Sequence, residues 1–251
     1  MHLNTYFKKL AARIADRFGY AIIPQWQLEN LPLVEHLRQI FRLCNIDCVI
    51  DVGANKGQFG KLIRRQVGFT GPILSFEPVA ATFAELKKAS HGDSAWQCFN
   101  IALGAMTDRI PINVTNSDSF SSFLPPRALS GFVGSNAIIS TQECAIERLD
   151  EWIEDQGIPY SRCYLKLDTQ GFDLNVLQGA TGIIDRIPAL QTELSFVPIY
   201  ESMPDFRQMV DYASGLGYKV SNMFVVSMRW GIAIEFDCVM VRQDSGITIG
   251  V

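Results

Sequence analysis

This sequence predicts an α/β fold with a doubly wound, mostly parallel sheet, preceded by an N-terminal helical extension. Three observations predict it. From residue 47 onward, short apolar runs alternate with amphipathic stretches, the pattern of strands joined by crossover helices. Two of those runs end in an acid, at Asp51 and Glu77, and the first leads into a glycine-bearing turn. The last two runs have no helix between them, so they are expected to pair antiparallel at a sheet edge. Residues 1–45 read as a helical segment and residues 46–251 as the α/β domain.

Residues 3–18 fit a helix. Leu3, Phe7, Leu10, Ile14 and Phe18 recur on one face, with Lys8, Lys9, Arg13 and Arg17 on the other. Such a helix usually packs on its own domain or on a second subunit. A basic amphipathic face also suits a membrane surface, so a homo-oligomer and peripheral membrane contact both stay open. Gly19 and Pro24 end the element, and residues 31–44 make a second helix with Pro32 in its first turn. Strands are expected at 47–53, 72–77, 96–103, 109–115, 162–168, 189–196, 217–227 and 232–242. Helices are expected at 57–67, 79–90, 147–156, 172–181 and 204–216. Residues 116–142 break the rhythm with Ser, Gly, Pro and Asn among aromatics. A loop of that length in a compact domain is a lid, a binding loop or a disordered stretch. Trp230-Gly231 reads as the turn of the final hairpin.

Composition excludes several classes. The chain has 22 basic and 26 acidic residues, net −4, which argues against a broad nucleic-acid surface. Its six cysteines form no Cys-x-x-Cys pair and there are three histidines, so no zinc site is expected. No apolar run reaches the ~18 residues of a membrane span. The N-terminus lacks the continuous apolar core of a signal peptide. The expected location is cytoplasmic.

In a parallel sheet a ligand sits at the carboxyl ends of the strands. The first such loop reads Asp51-Val-Gly53-Ala-Asn55-Lys-Gly57. A dinucleotide fingerprint would need glycine at 55, and a phosphate-cradling loop would need Gly-Lys-Ser/Thr; neither is present. Asn55 still tolerates the positive φ that glycine would adopt, and Gly53 and Gly57 allow a ligand close to the backbone. Glu77 lies 24 residues beyond Gly53 and ends the next strand. Its two oxygens can accept from both hydroxyls of an unphosphorylated ribose. The chain therefore reads as a binder of a nucleoside-containing small molecule.

At this point the residues resemble the FkbM-type family of class I S-adenosylmethionine-dependent methyltransferases. The matching pieces are Val49-Ile-Asp51-Val-Gly53-Ala-Asn55-Lys-Gly57, Phe76-Glu77-Pro78, Asn100-Ile-Ala102-Leu-Gly104, Ser121-Ser122, Glu147-Arg-Leu-Asp150 and Leu165-Lys166-Leu-Asp168-Thr-Gln170-Gly171-Phe-Asp173. They span about residues 47–200. Members more usually have Glu at the position of Gln170. The resemblance implies a seven-stranded doubly wound sheet and methyl transfer from S-adenosylmethionine to oxygen. It places Asp51, Gly53, Asn55 and Gly57 beside the methionine and ribose, and Glu77 and Pro78 at the ribose diol. Asn100 to Ala102 fall at the adenine, and Asp168 beside the methyl. The implied acceptors are hydroxyls of sugars, glycolipids and secondary metabolites.

A hydroxyl that accepts a methyl group must lose its proton, so a base or a metal is needed. His2, His36 and His91 are poorly placed for this role. Asp168 is the first candidate, and Glu193, ending the following strand, the second. Adjacent strands would let these two acids share Mg²⁺ or hydrogen-bond the substrate directly. Lys166 alternates with Asp168 on an apolar strand and needs a partner acid. Tyr200 and Glu201 follow that region, with a surface position as the default. The rival readings are a non-catalytic S-adenosylmethionine-binding scaffold and a nucleotide-dependent oxidoreductase.

Overall fold

The computed structural model describes residues 13–28, 30–117, 120–127 and 137–245. Of the expected helix at 3–18, residues 1–12 lie outside that range, and residues 13–17 are helical. The elements that follow are α1 (Gln25–Leu28), α2 (Leu31–Leu43), β1 (Cys48–Val52), α3 (Gln58–Leu62), β2 (Ile73–Phe76), α4 (Ala80–Ala89), β3 (Trp96–Phe99), β4 (Ala102–Leu103) and β5 (Asp108–Thr115). After these come β6 (Ile138–Glu147), α5 (Leu149–Asp155), β7 (Cys163–Leu167), α6 (Asp173–Gln178), β8 (Ala189–Ser195), α7 (Phe206–Gly215), β9 (Tyr218–Arg229) and β10 (Ile232–Arg242).

The main sheet has seven strands in the order β3-β2-β1-β7-β8-β10-β9. β1, β2, β3, β7 and β8 run parallel, and β10 runs antiparallel to both β8 and β9. The order reverses between β1 and β7, which opens a crevice at their carboxyl ends. Both faces of the sheet are covered. Cys48, Ile50, Leu165 and Leu190 pack with Trp152 and Ile153 of α5, Val176 and Leu177 of α6, and Met209 of α7. The alternate residues Val49, Ile73 and Tyr164 pack with Leu37, Ile40 and Phe41 of α2, Phe59 of α3 and Leu86 of α4. The apolar stripe of α2 is thus buried in the same core as β1. The six cysteines are all free, and five are buried.

Three local departures from the sequence expectation have physical reasons. The strand expected at 96–103 breaks at Asn100, and its end joins a second, three-stranded sheet of order β4-β6-β5. Residues 138–142, expected to end the long loop, instead begin strand β6, paired antiparallel to β5. The first half of β6 is exposed and built from Ile, Ser, Thr and Gln, so it lacks the alternation that marks a half-buried strand. The helix expected at 57–67 widens into a π turn over Ile63–Val67, where Arg38 caps the carbonyl of Gln66.

Candidate active site

The parallel strands β1, β2 and β7 are apolar except along one transverse row, which continues onto β8. Ser75 on β2, Asp51 on β1, Lys166 on β7 and Gln191 on β8 stand in register. All four are buried, and a buried polar group is costly without a partner. Trp96 Nε1 donates to Ser75 Oγ (2.9 Å), Ser75 Oγ donates to Asp51 Oδ2 (3.1 Å), and Tyr164 OH donates to Gln191 Oε1 (3.0 Å). Lys166 Nζ lies 3.9 Å from Asp51 Oδ1 and donates to Asp168 Oδ2 at 2.7 Å. Burial works against the Lys166 ammonium, but Asp168 and Asp51 outweigh it and hold its pKa above the ordinary lysine value. Burial raises the Asp51 pKa, and Lys166 and Ser75 oppose that only in part.

Over this row lies a cavity of about 480 Å³ at the carboxyl ends of β1, β2, β7 and β8. The turn after β1 shapes its floor. Gly53 has φ +75°, and a Cβ there would stand 1.9 Å from the carbonyl oxygen of Asp168. The glycine is therefore required by the close approach of β7's end as well as by its backbone conformation. Asn55, at φ 48°, turns its N–H toward Glu77 Oε2 (2.9 Å), and the N–H of Val79 donates to Glu77 Oε1 (2.9 Å). The carboxyl is thus fixed from both sides at 6% exposure, facing the cavity. Burial pushes its pKa up to about 7 against those two donors.

Gly53, Asn55, Glu77, Pro78, Ala102, Asp168 and Glu193 all line this cavity. Asp51, Gly57 and Asn100 do not line it. Asp51 is wholly buried behind Lys166, with its charge spent on the polar row. Gly57 starts α3 at φ 79° and faces Leu86, Ala89 and Trp96, so it serves helix packing. The Asn100 Nδ2 donates to the carbonyls of Glu77 (2.8 Å) and Pro78 (3.0 Å). That clamps the Glu77 loop from behind, while Ile101, Ala102 and Leu103 supply the cavity wall.

The opposite wall is acidic. Asp168 Oδ1 accepts from Gln170 Nε2 (3.0 Å), and the same nitrogen donates to Glu193 Oε2 (3.2 Å). Glu193 Oε1 has no hydrogen-bond partner among the described residues. Across the sheet Glu193 faces Asp237, which also lines the cavity. Burial, then the charges of Asp168, Glu235 and Asp237, push the Glu193 pKa well above the carboxylate range. Burial pushes Asp237 up to about 6. Gln170 itself sits at φ 54°, held by Ser122 Oγ on its carbonyl (2.6 Å) and by Tyr200 OH on its Oε1 (2.8 Å). Tyr200 is fully buried rather than on the surface.

Asp168 and Glu193 do converge from adjacent strands, but the Gln170 amide already bridges them. No cluster of three or more His, Cys, Asp or Glu able to hold a metal occurs among the described residues. An amide donor standing between one oxygen of each carboxylate does not fit a shared Mg²⁺. The sequence reading missed Ser75, Gln191 and Asp237. Their trace is a polar residue inside an apolar strand, which becomes informative only once register aligns the strands.

A family model described as the methyltransferase FkbM domain matches residues 51–220. No curated protein sequence matches this chain. The solved FkbM methyltransferase of Methylobacillus flagellatus KT aligns with TM-score 0.50 at 15% identity, covering 78% of this chain and 44% of that one. This chain thus spans less than half the length of that protein, and the likeness concerns the fold. Magnesium protoporphyrin IX methyltransferase (ChlM) from Synechocystis PCC 6803, solved with bound SAM, aligns with TM-score 0.45 at 10% identity over 90% of this chain and 88% of that one.

Proposed function

The chain belongs to the FkbM methyltransferase family, and from that premise we propose that it transfers a methyl group from S-adenosylmethionine to a hydroxyl oxygen of a sugar, glycolipid or secondary metabolite. The observation that carries this reading is the buried Glu77 carboxyl, pinned by two backbone N–H groups and turned into the cavity. Each oxygen keeps a lone pair that can accept from one ribose hydroxyl. Ala102 and its neighbours Ile101 and Leu103 offer an apolar slot for a purine. When bound, the cofactor supplies an already activated methyl group, and its sulfonium charge suits the acidic wall. The residues therefore fit the group.

The protein's remaining tasks are to align the acceptor, exclude water and take a proton. Both oxygens of Asp168 are engaged, one by Lys166 and one by Gln170. Asp168 thus acts as a fixed acceptor that orients the reacting groups. Glu193 has an unengaged oxygen and a raised proton affinity, which suits it to receive the hydroxyl proton. Asn30 and Leu33 in the N-terminal segment also line the cavity, and we assign that segment to acceptor choice. Ser121 and Phe123 of the β5–β6 connection close another side and limit water.

Transfer of labelled methyl from S-adenosylmethionine into a panel of sugars, glycolipids and polyketides tests this reading. Label should appear at oxygen with wild type and be lost with Glu193→Gln. Chelator should leave the rate unchanged, because Gln170 occupies the bridging position. Label at nitrogen or carbon would refute oxygen transfer.

A further inference from the structure

The last hairpin leaves the body of the sheet at the cavity edge. β8 ends at Ser195, paired with Glu235, so residues 228–233 of β9 and β10 pair only with each other and project beyond it. β10 begins where the parallel strands end, so this projection lies on the same edge as the cavity mouth. Val226 links the two. Phe236 pairs with Val225 and Glu235 with Ser227, which leaves Val226 in a bulge that turns it toward the cavity.

The tip is apolar and exposed. Met228 is 61% exposed, Ile232 64% and Trp230 87%, with Val225 also exposed. Trp230 and Gly231 form a two-residue turn with φ 49° and 79°. Such a turn favours Asn or Gly at its first position, and a bulky aromatic there is strained. Trp230 gains no core packing in return. Strain without a folded-state benefit points to a function outside the fold. Charge supplies the partner's identity. Residues 220–234 contain no Asp or Glu but include Arg229 beside the tip, although the chain as a whole is net −4. Arg229 lies over the Trp230 ring at 4.6 Å from its centroid. The cavity mouth adds Lys61 and Arg65.

We propose that the β9–β10 tip inserts into an anionic lipid surface and sets the cavity mouth against it. Trp230, Met228 and Ile232 enter the headgroup boundary, while Arg229 at the tip and Lys61 and Arg65 at the cavity mouth meet lipid phosphates. Trp230 stands roughly 13 Å along the strand from Val226, so a lipid-borne acceptor could reach the cavity without leaving the membrane.

The test is co-sedimentation of the full chain with vesicles of phosphatidylcholine, with and without phosphatidylglycerol, for wild type and Trp230→Asn. Asparagine suits the turn, so this variant should melt at a higher temperature than wild type. It should also partition onto phosphatidylglycerol vesicles about tenfold more weakly, the loss of one large apolar anchor. Equal binding by both proteins would overturn the proposal, since any residual attachment would then reside elsewhere. So would absence of vesicle binding. A wild-type dimer in sedimentation velocity that Trp230→Asn dissolves would overturn it as well, assigning the tip to a second copy of the chain.

Discussion

The pH dependence of cofactor binding follows from Glu77. Its folded pKa of about 7 exceeds its ordinary value of 4.5 because the carboxyl is buried. Between those two values the folded state holds a proton that the unfolded chain has released. Stability of the free protein therefore falls as pH rises from 4.5 to 7, by about 3 kcal/mol at 1.36 kcal/mol per unit. A ribose diol donates two hydrogen bonds and favours the ionised carboxylate, so binding opposes that loss. At pH 6 about one-tenth of Glu77 is ionised, and at pH 8 nearly all of it. Affinity for S-adenosylhomocysteine should then rise about tenfold from pH 6 to pH 8. Glu77→Ala removes two charge-assisted bonds, each worth roughly 1.5–3 kcal/mol. It should weaken binding at least about a hundredfold and abolish the pH dependence. Calorimetric titration at pH 6, 7 and 8 measures both. A flat wild-type profile, or unchanged affinity in the variant, would refute the reasoning.

Other perturbations give distinct readouts. Glu193→Gln should lower turnover by about 10²–10⁴-fold and remove a rise of rate with pH, because the base must be ionised and its folded pKa lies above the ordinary value; a retained rise would move the base elsewhere. Gly53→Ala places a Cβ 1.9 Å from the Asp168 carbonyl oxygen at φ +75°, so a loss of about 3 kcal/mol is expected, visible as a Tm drop of roughly 6–12 °C. Lys166→Met strands the buried Asp51 without its cation and should cost about 3–5 kcal/mol. The buried Asp51 can then escape its charge only by binding a proton, so urea melts should show a smaller loss at pH 5 than at pH 8.

Much of the fold was legible because strand and helix periods are local. The strand-to-helix alternation set β1, β2, β7 and β8, and the missing helix between the last two runs set the antiparallel edge. β6 was not legible, since an exposed strand of mixed residues owes its form to β5 across from it. At the site, Glu77 and Asp168 could be picked out as acids at strand ends; Glu193, expected to end its strand, stands two residues inside β8, and the cavity joins all three. Asp51 looked equivalent from sequence, yet it sits inside its strand and faces the α2 and α3 side of the sheet. Gly53 and Gly57 also looked alike. One answers to a neighbouring carbonyl and the other to Trp96, a difference set by tertiary packing alone. Gln170's part could not be read, because its amide gains meaning only when β7 and β8 bring two carboxylates within its reach.

The most direct measurement is a crystal structure with S-adenosylhomocysteine bound. The nucleoside should lie over Gly53 to Asn55, both ribose hydroxyls within hydrogen-bond distance of the Glu77 carboxylate and the sulfur facing Asp168 and Glu193. A ribose held by other groups, with Glu77 still satisfied by backbone alone, would contradict the assignment of this crevice.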